Sequence, residues 1–132
     1  MAEQGRKQVG VIPYYYKNNR YRFVLVTSRK KPSKWIFPKG KAEEDLSDRE
    51  AALKEAYEEA GLLGRLKGDC IRISGKNGDV SYKFYPMRIS RICARWPERG
   101  LRRRCFVKSK RMRSLLPKTP YREAVEIFLR RD

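Results

Sequence analysis

The sequence contains no histidine at all. That absence excludes a Ser-His-Asp or Cys-His nucleophile, a histidine general base and any His-ligated zinc site, so proton transfer falls to carboxylate, lysine, tyrosine or metal-bound water. Cysteine is nearly as scarce. Cys70, Cys93 and Cys105 are odd in number and show no C-x-x-C spacing, which argues against a disulfide frame and a structural zinc and leaves them as packing residues in a reducing compartment. No run approaches the apolar length of a membrane span, and the opening MAEQGRKQ lacks the apolar core of a signal peptide, so a cytoplasmic protein with no membrane contact is expected. Acid is also in short supply: 15 Asp and Glu stand against 33 Lys and Arg, a net charge of +18 that implies an anionic partner, nucleic acid included. With 132 residues and 40% hydrophobic content, the chain reads as a single domain over 1–132 without repeats or low-complexity segments, a monomer or homodimer.

The few acids are concentrated. Between Pro38 and Leu62 the pattern predicts a helix over 48–60, with Ser47 as cap, Glu50 completing an S-x-x-E capping box and Gly61 supplying the left-handed stop. On that helix Glu55, Glu58 and Glu59 fall within about 100° of arc, and Leu53, Ala56, Tyr57 and Ala60 gather on the other side as core. Glu58 and Glu59 oppose the helix dipole at a cost of about 0.3–1 kcal/mol each, and Glu55 with Glu59 is a like-charge i,i+4 pair. On the helix itself, Lys54 alone offers Glu58 a partner at that spacing. Such clustered carboxylates await a hard divalent cation, the alternative being a solvated acidic face. The turn at Pro38-Lys39-Gly40 precedes the helix closely enough for the backbone carbonyls of Lys39 and Gly40 to join Glu55, Glu58 and Glu59 as oxygen ligands.

Around this stretch, residues 9–16 and 21–27 read as a β-hairpin, with Pro13 hinting at an edge or bulge. Trp35 to Phe37 reads as a short buried strand and 63–69 as a further strand. Residues 71–74 and 80–96 form a second hairpin turning at 75–79, and 106–108 a last strand. A short helix over 109–116 and an amphipathic helix over 121–131 close the chain. That order suggests an α/β architecture in which a mixed sheet is covered by helices.

The acidic stretch resembles the Nudix hydrolase signature, G-x5-E-x7-R-E-U-x-E-E-x-G-U with U a bulky apolar residue. Gly40, Glu55, Glu58, Glu59, Gly61 and Leu62 stand where the pattern expects them. Leu46 replaces the first Glu, Lys54 the Arg, and Ala56 the first U. The resemblance implies an α-β-α sandwich around a mixed curved β-sheet, with Mg2+ (Mn2+ as substitute) held by Glu55, Glu58 and Glu59 and a phosphoanhydride split by water attack on phosphorus. Glu58 or Glu59 is favoured as base over Glu98, which reads instead as a turn carboxylate paired with neighbouring arginines. Substrate contacts are expected from Arg29, Lys31, Lys34, Lys39, Lys41 and Arg103. The run Ser28-Arg29-Lys30-Lys31-Pro32-Ser33-Lys34-Trp35-Ile36-Phe37-Pro38 and the later Trp96-Pro97-Glu98 are similar to the diphosphoinositol polyphosphate phosphohydrolase branch, from which this chain departs in having Lys39 where Gly is usual. That likeness implies a polyanionic phosphorylated small molecule: a diphosphoinositol polyphosphate, polyphosphate or a dinucleoside polyphosphate. Two alternatives stand beside it: a nucleoside di- or triphosphate or RNA 5′-end pyrophosphohydrolase, and a non-catalytic nucleic-acid-binding module of the same fold. Tyr14, Tyr15, Tyr16, Tyr82 and Tyr85 are expected to pack across strands rather than stack a base.

Overall fold

A computed structural model of the chain describes residues 6–75 and 78–131. The elements in order are β1 (Arg6–Lys17), β2 (Arg20–Thr27), β3 (Trp35–Ile36), β4 (Lys39–Lys41), α1 (Asp48–Ala60), β5 (Leu62–Leu66), β6 (Ile71–Ser74), β7 (Val80–Ile92), β8 (Arg104–Lys108), α2 (Ser109–Leu115), a wide helical turn over Lys118–Arg122 and α3 (Glu123–Arg131). All eight strands join one mixed sheet. β1 and β7 run parallel through its middle and every other pairing is antiparallel.

Side-chain alternation along β1 and β7 sorts the two faces. Tyr14 and Phe84 point to the side where Phe128 of α3 and Tyr121 pack, with ring centroids 5.1 and 5.7 Å apart respectively. The neighbouring positions Lys83 and Tyr85 point to the other side, where Lys83 pairs with Asp48 at 2.8 Å and Arg49 of α1 lies over the Tyr85 ring. The sheet is therefore covered by α1 on one face and by α3 on the other, the α-β-α sandwich the sequence pattern suggested. Tyr14, Tyr21 and Phe23 cluster with Phe128, so the tyrosines at 14 and 21 are packing residues.

β1 changes partner along its length. Residues 8–10 pair with β4 and residues 14–17 with β2. Pro13, which has no N–H to give, lies in the gap between these two ladders and opposite Met87 of the parallel strand; it marks a fork in the sheet, not an edge or bulge. Phe37 and Pro38 are buried where the chain crosses from β3 to β4, bringing Lys39 and Gly40 to that fork.

Several boundaries differ from the sequence expectation. β7 ends at Ile92, and 93–103 is irregular because it wraps the C-terminal end of α1. The closing helix starts at Glu123, since the chain at Lys118–Arg122 makes a wider turn with Thr119 extended. The expected turn at 75–79 includes residues 76 and 77, which lie outside the described residues, as does the opening 1–5. Among the described residues no helix is long and apolar enough to cross a membrane.

Candidate active site

The helix α1 forms as its sequence dictates. The Ser47 hydroxyl accepts from Glu50 N, the Glu50 carboxylate accepts from Ser47 N, and Gly61 closes the helix at φ 66°. Its burial differs from the expected split into core and acid sides. Ala51, Ala52, Ala56 and Ala60 are buried, Tyr57 is exposed, and Glu59 belongs to the buried side with only 4% of its surface accessible. Small residues are required along this face because α1 lies against β1, β4 and β5, and Gly40 shows how tightly: a Cβ built there would fall 2.4 Å from the Glu55 carboxyl carbon.

At the fork, Lys39 N donates to Glu59 Oε1 at 3.2 Å and Arg102 reaches Glu59 Oε2 at 3.3 Å. Arg102 also donates to Glu98 Oε1 at 2.8 Å and to the Thr27 carbonyl at 2.9 Å. Glu55 and Glu59 lie close enough together for each to influence the titration of the other. Burial pushes the Glu59 carboxyl up to about 8 against the pull of Arg102, with Glu55 as a further cause. Burial likewise raises Glu55.

The ladder between β1 and β4 separates the two backbone oxygens. Val11 N donates to the Pro38 carbonyl and Ala42 N to the Lys7 carbonyl. By antiparallel alternation, the pair between them, Val9 with Gly40, exchanges both its bonds. The Gly40 carbonyl is thus engaged within the sheet. The Lys39 carbonyl lies on the same edge as the Lys39 N–H that meets Glu59, so of the two expected backbone ligands it is the one turned toward the carboxylates.

Compensation for acids at the end of a helix comes from elsewhere in the chain. Glu98 N donates to the Glu58 carbonyl at 3.0 Å, Trp96 Nε1 to the Glu59 carbonyl at 3.0 Å, and Arg104 Nη1 to the Ala60 carbonyl at 2.7 Å. The Arg104 guanidinium stacks 3.9 Å from the Trp96 ring centroid. A cation placed there counters the dipole end, where α1 has no basic residue of its own.

Each expected site residue can now be located. Glu55 and Glu59 are brought together; Glu58 is half-buried one position away. Among the described residues no three Asp, Glu or Cys side chains already converge as a metal cage. The pair of half-buried Glu55 and buried Glu59 still fits a divalent cation: its donors are oxygen, burial raises both carboxyls so that positive charge is wanted there, and Gly40, lacking a side chain, lets the Glu55 carboxyl sit against β4. Lys39 is half-buried, with its ammonium lowered mainly by burial and further by Arg102 and Lys30, while Glu59 opposes. Lys30 is near enough to Lys39 to act on its ammonium, so the exposed loop that carries Arg29, Lys31 and Lys34 lies beside the fork, where Lys31 N donates to Ser28 Oγ and Ser28 N to the Lys34 carbonyl. Lys41 is exposed and leaves β4 on the face opposite to the one where Gly40 meets Glu55. Arg103 is exposed and lies 5.5 Å from the Trp35 ring. The sequence reads 102–104 as one cationic cluster, whereas Arg102 turns to Glu59 and Arg104 to the Ala60 carbonyl while Arg103 stays exposed. Glu98 does pair with an arginine as expected, yet that arginine links it to Glu59.

The departures from the signature are partly made good in space. Lys54 Nζ bonds both Glu43 oxygens, at 3.1 and 2.9 Å, so the acid lacking at Leu46 is supplied three residues earlier.

The NUDIX domain model matches residues 6–95. The chain belongs to that family. Among its relatives are Nudix hydrolase 21, chloroplastic, of Arabidopsis thaliana, 32% identical over 96% of this chain and 67% of that protein, and Nudix hydrolase 18, mitochondrial, of the same plant, 34% identical over 97% and 79%. Human diphosphoinositol polyphosphate phosphohydrolase 3-alpha is 37% identical over 47% of this chain and 37% of its own length. Among solved structures, a NUDIX hydrolase from Nitrosomonas europaea superposes with a TM-score of 0.76 at 16% identity, covering 95% of this chain and 70% of that one, which shows the same fold. As a Nudix hydrolase, the chain is of a class that acts on phosphorylated small molecules with divalent metal ions.

Proposed function

We propose that this protein hydrolyses a phosphoanhydride bond of a highly phosphorylated substrate, a diphosphoinositol polyphosphate, inorganic polyphosphate or a dinucleoside polyphosphate. The carrying observation is the half-buried Glu55 beside the buried Glu59, packed against Gly40 and flanked by the basic loop over 29–34.

Glu55, Glu59 and Glu58, with the Lys39 carbonyl, would hold Mg2+ or Mn2+. Bound there, such an ion supplies neutralisation of phosphate charge and a water of lowered pKa. Lys39 N and Arg102 fix the Glu59 carboxylate in place. Glu58, half-buried, is better exposed than Glu59 to take a proton from the attacking water. Arg29, Lys31, Lys34 and Arg103, all exposed near the fork, would steer and hold further phosphates. The partial match to the human diphosphoinositol polyphosphate phosphohydrolase supports a substrate crowded with phosphates.

A panel of diphosphoinositol polyphosphates, polyphosphate, dinucleoside polyphosphates, nucleoside triphosphates and 5′-triphosphorylated RNA, assayed with Mg2+ and with EDTA, tests the proposal. Metal-dependent turnover of the first three above the rest is expected. Turnover that survives Glu58→Gln with Glu59→Gln refutes the assignment of the site.

A further inference from the structure

Away from the carboxylates, the molecule carries a second concentration of positive charge on either side of Tyr16. Two cavities open there. One, of about 540 Å³, lies at the β1–β2 turn and is walled by Arg20, Arg22, Lys108 and Lys110 together with Tyr16 and Tyr21. The other, of about 330 Å³, lies over β5 and β7 and is walled by Arg65, Lys67 and Arg88. Neither wall includes an Asp or Glu. In the first cavity Arg113 is already held by Glu126 at 2.7 Å, but the four cations named above are a separate set.

A single contact joins the two cavities. Arg88 lies 4.9 Å from the Tyr16 ring centroid, and Tyr16 stacks on Tyr21 at 5.0 Å with the rings 28° apart. Tyr16 is 43% exposed. Arg88 stands beside Tyr14 in the β1–β7 register and directly opposite Arg65 in the β5–β7 register, which puts Arg88 and Arg65 on the α3 side. From Arg65 and Arg88 the strip passes over Tyr16 to Tyr21 on that side and ends in the cavity at the β1–β2 turn, which Arg20, Arg22 and Lys108, alternating to the opposite face, wall at the end of the hairpin. The acids of α1 are on the other side of the sheet.

We propose that this strip binds single-stranded nucleic acid. The cations of the two cavities flank Tyr16 on both sides and can follow a sugar-phosphate backbone. The Arg88 guanidinium over the Tyr16 ring offers a planar group on which a base can stack. A lipid surface would suit cations raised on a flat patch, whereas these line recesses. The site is independent of the hydrolysis proposed above and involves none of its residues.

The test is fluorescence anisotropy with a 5′-fluorescein oligouridylate of about twelve nucleotides, carrying no phosphoanhydride, across a salt series. Single-strand binding loses about 0.7 in the slope of log K against log salt per phosphate contact. Arg65→Glu with Arg88→Glu is expected to weaken binding at least about tenfold and to reduce the slope by about 1.4. Tyr16→Ala is expected to weaken binding about five- to tenfold at unchanged slope. Arg65→Lys with Arg88→Lys keeps the charge and should retain most of the affinity, and circular dichroism confirms the fold of each variant. Unchanged affinity in both the charge-reversal and Tyr16 variants overturns the proposal. If inorganic polyphosphate of equal charge binds as tightly as the oligouridylate and Tyr16→Ala affects neither, the strip reads phosphate alone and the nucleic-acid assignment fails.

Discussion

Replacing Glu59 by Gln isolates what the buried carboxyl pair costs the metal-free protein. Glu59 is 4% exposed, and its carboxyl is raised from an ordinary 4.5 to about 8, first by burial. A folded-state value above the unfolded one means that the native protein holds a proton the unfolded chain has released. The group's contribution to stability is present below 4.5 and is lost as pH rises through about 8. At roughly 1.4 kcal/mol per pH step, integration from about pH 5.5 to 8 gives about 3 kcal/mol for an isolated group, and about 2–3 kcal/mol with Glu55 titrating beside it. Urea denaturation in EDTA, followed by the fluorescence of Trp35 and Trp96, should show the wild type losing that much between these pH values while Glu59→Gln stays nearly level. The amide keeps an oxygen for Lys39 N but turns an NH2 toward Arg102, which offsets part of the gain. Added Mg2+ should flatten the wild-type curve by taking the place of the proton and leave the variant unmoved. A variant that is less stable than wild type at pH 8, or that keeps the wild-type slope, refutes the reasoning.

Gly40→Ala puts a methyl 2.4 Å from the Glu55 carboxyl carbon and should destabilise by about 1–3 kcal/mol while abolishing metal-dependent turnover, measured by thermal denaturation and phosphate release. Trp96→Phe keeps the ring but removes the donor to the Glu59 carbonyl, for an expected loss of about 1–2 kcal/mol in urea denaturation. Glu43→Gln breaks a pair whose side chains are 32% and 40% exposed, so its stability cost should stay under about 1 kcal/mol and shrink further in high salt.

The bounds of α1 were legible to the residue, because a capping box and a C-terminal glycine are local signals read directly by the backbone. The sandwich followed from element order, and the aromatic cluster around Phe128 from alternation in β1 and β2. What did not show was whatever depends on the fork. Pro13 reads as an edge residue until β1 is seen to change partner there. Glu59 reads as one of three acids on the side away from the core because a helical wheel assigns sides by composition, and composition cannot register that β4 passes close enough to bury it. Leu46 and Lys54 read only as two departures from the signature, since nothing in the spacing shows that the loop before α1 turns Glu43 back to Lys54. The triple arginine carried a usable signal, the period of two in a strand beginning at Arg104, and that period separates the outward Arg103 from its neighbours.

The unfavourable charge on α1 has two distinct resolutions. On the helix itself the sequence offers only Lys54 as a partner, so an awaited cation or a solvated face is expected to resolve the rest. In the folded chain the dipole conflict is met by protein alone: three consecutive carbonyls at the helix end accept from Glu98 N, Trp96 Nε1 and Arg104 Nη1, all from the segment after β7. That segment also carries Arg102, which grips Glu59 and Glu98 together. A stretch without regular structure thus both secures the helix and orients its innermost carboxylate. What the protein leaves uncompensated is narrower, namely the charge of the Glu55 and Glu59 pair, both of whose carboxyls are raised first by burial and so favour a bound proton. A divalent cation therefore has no part in holding the helix end together. It competes with that one proton, so its affinity should fall as pH drops below about 8 while the integrity of α1 does not.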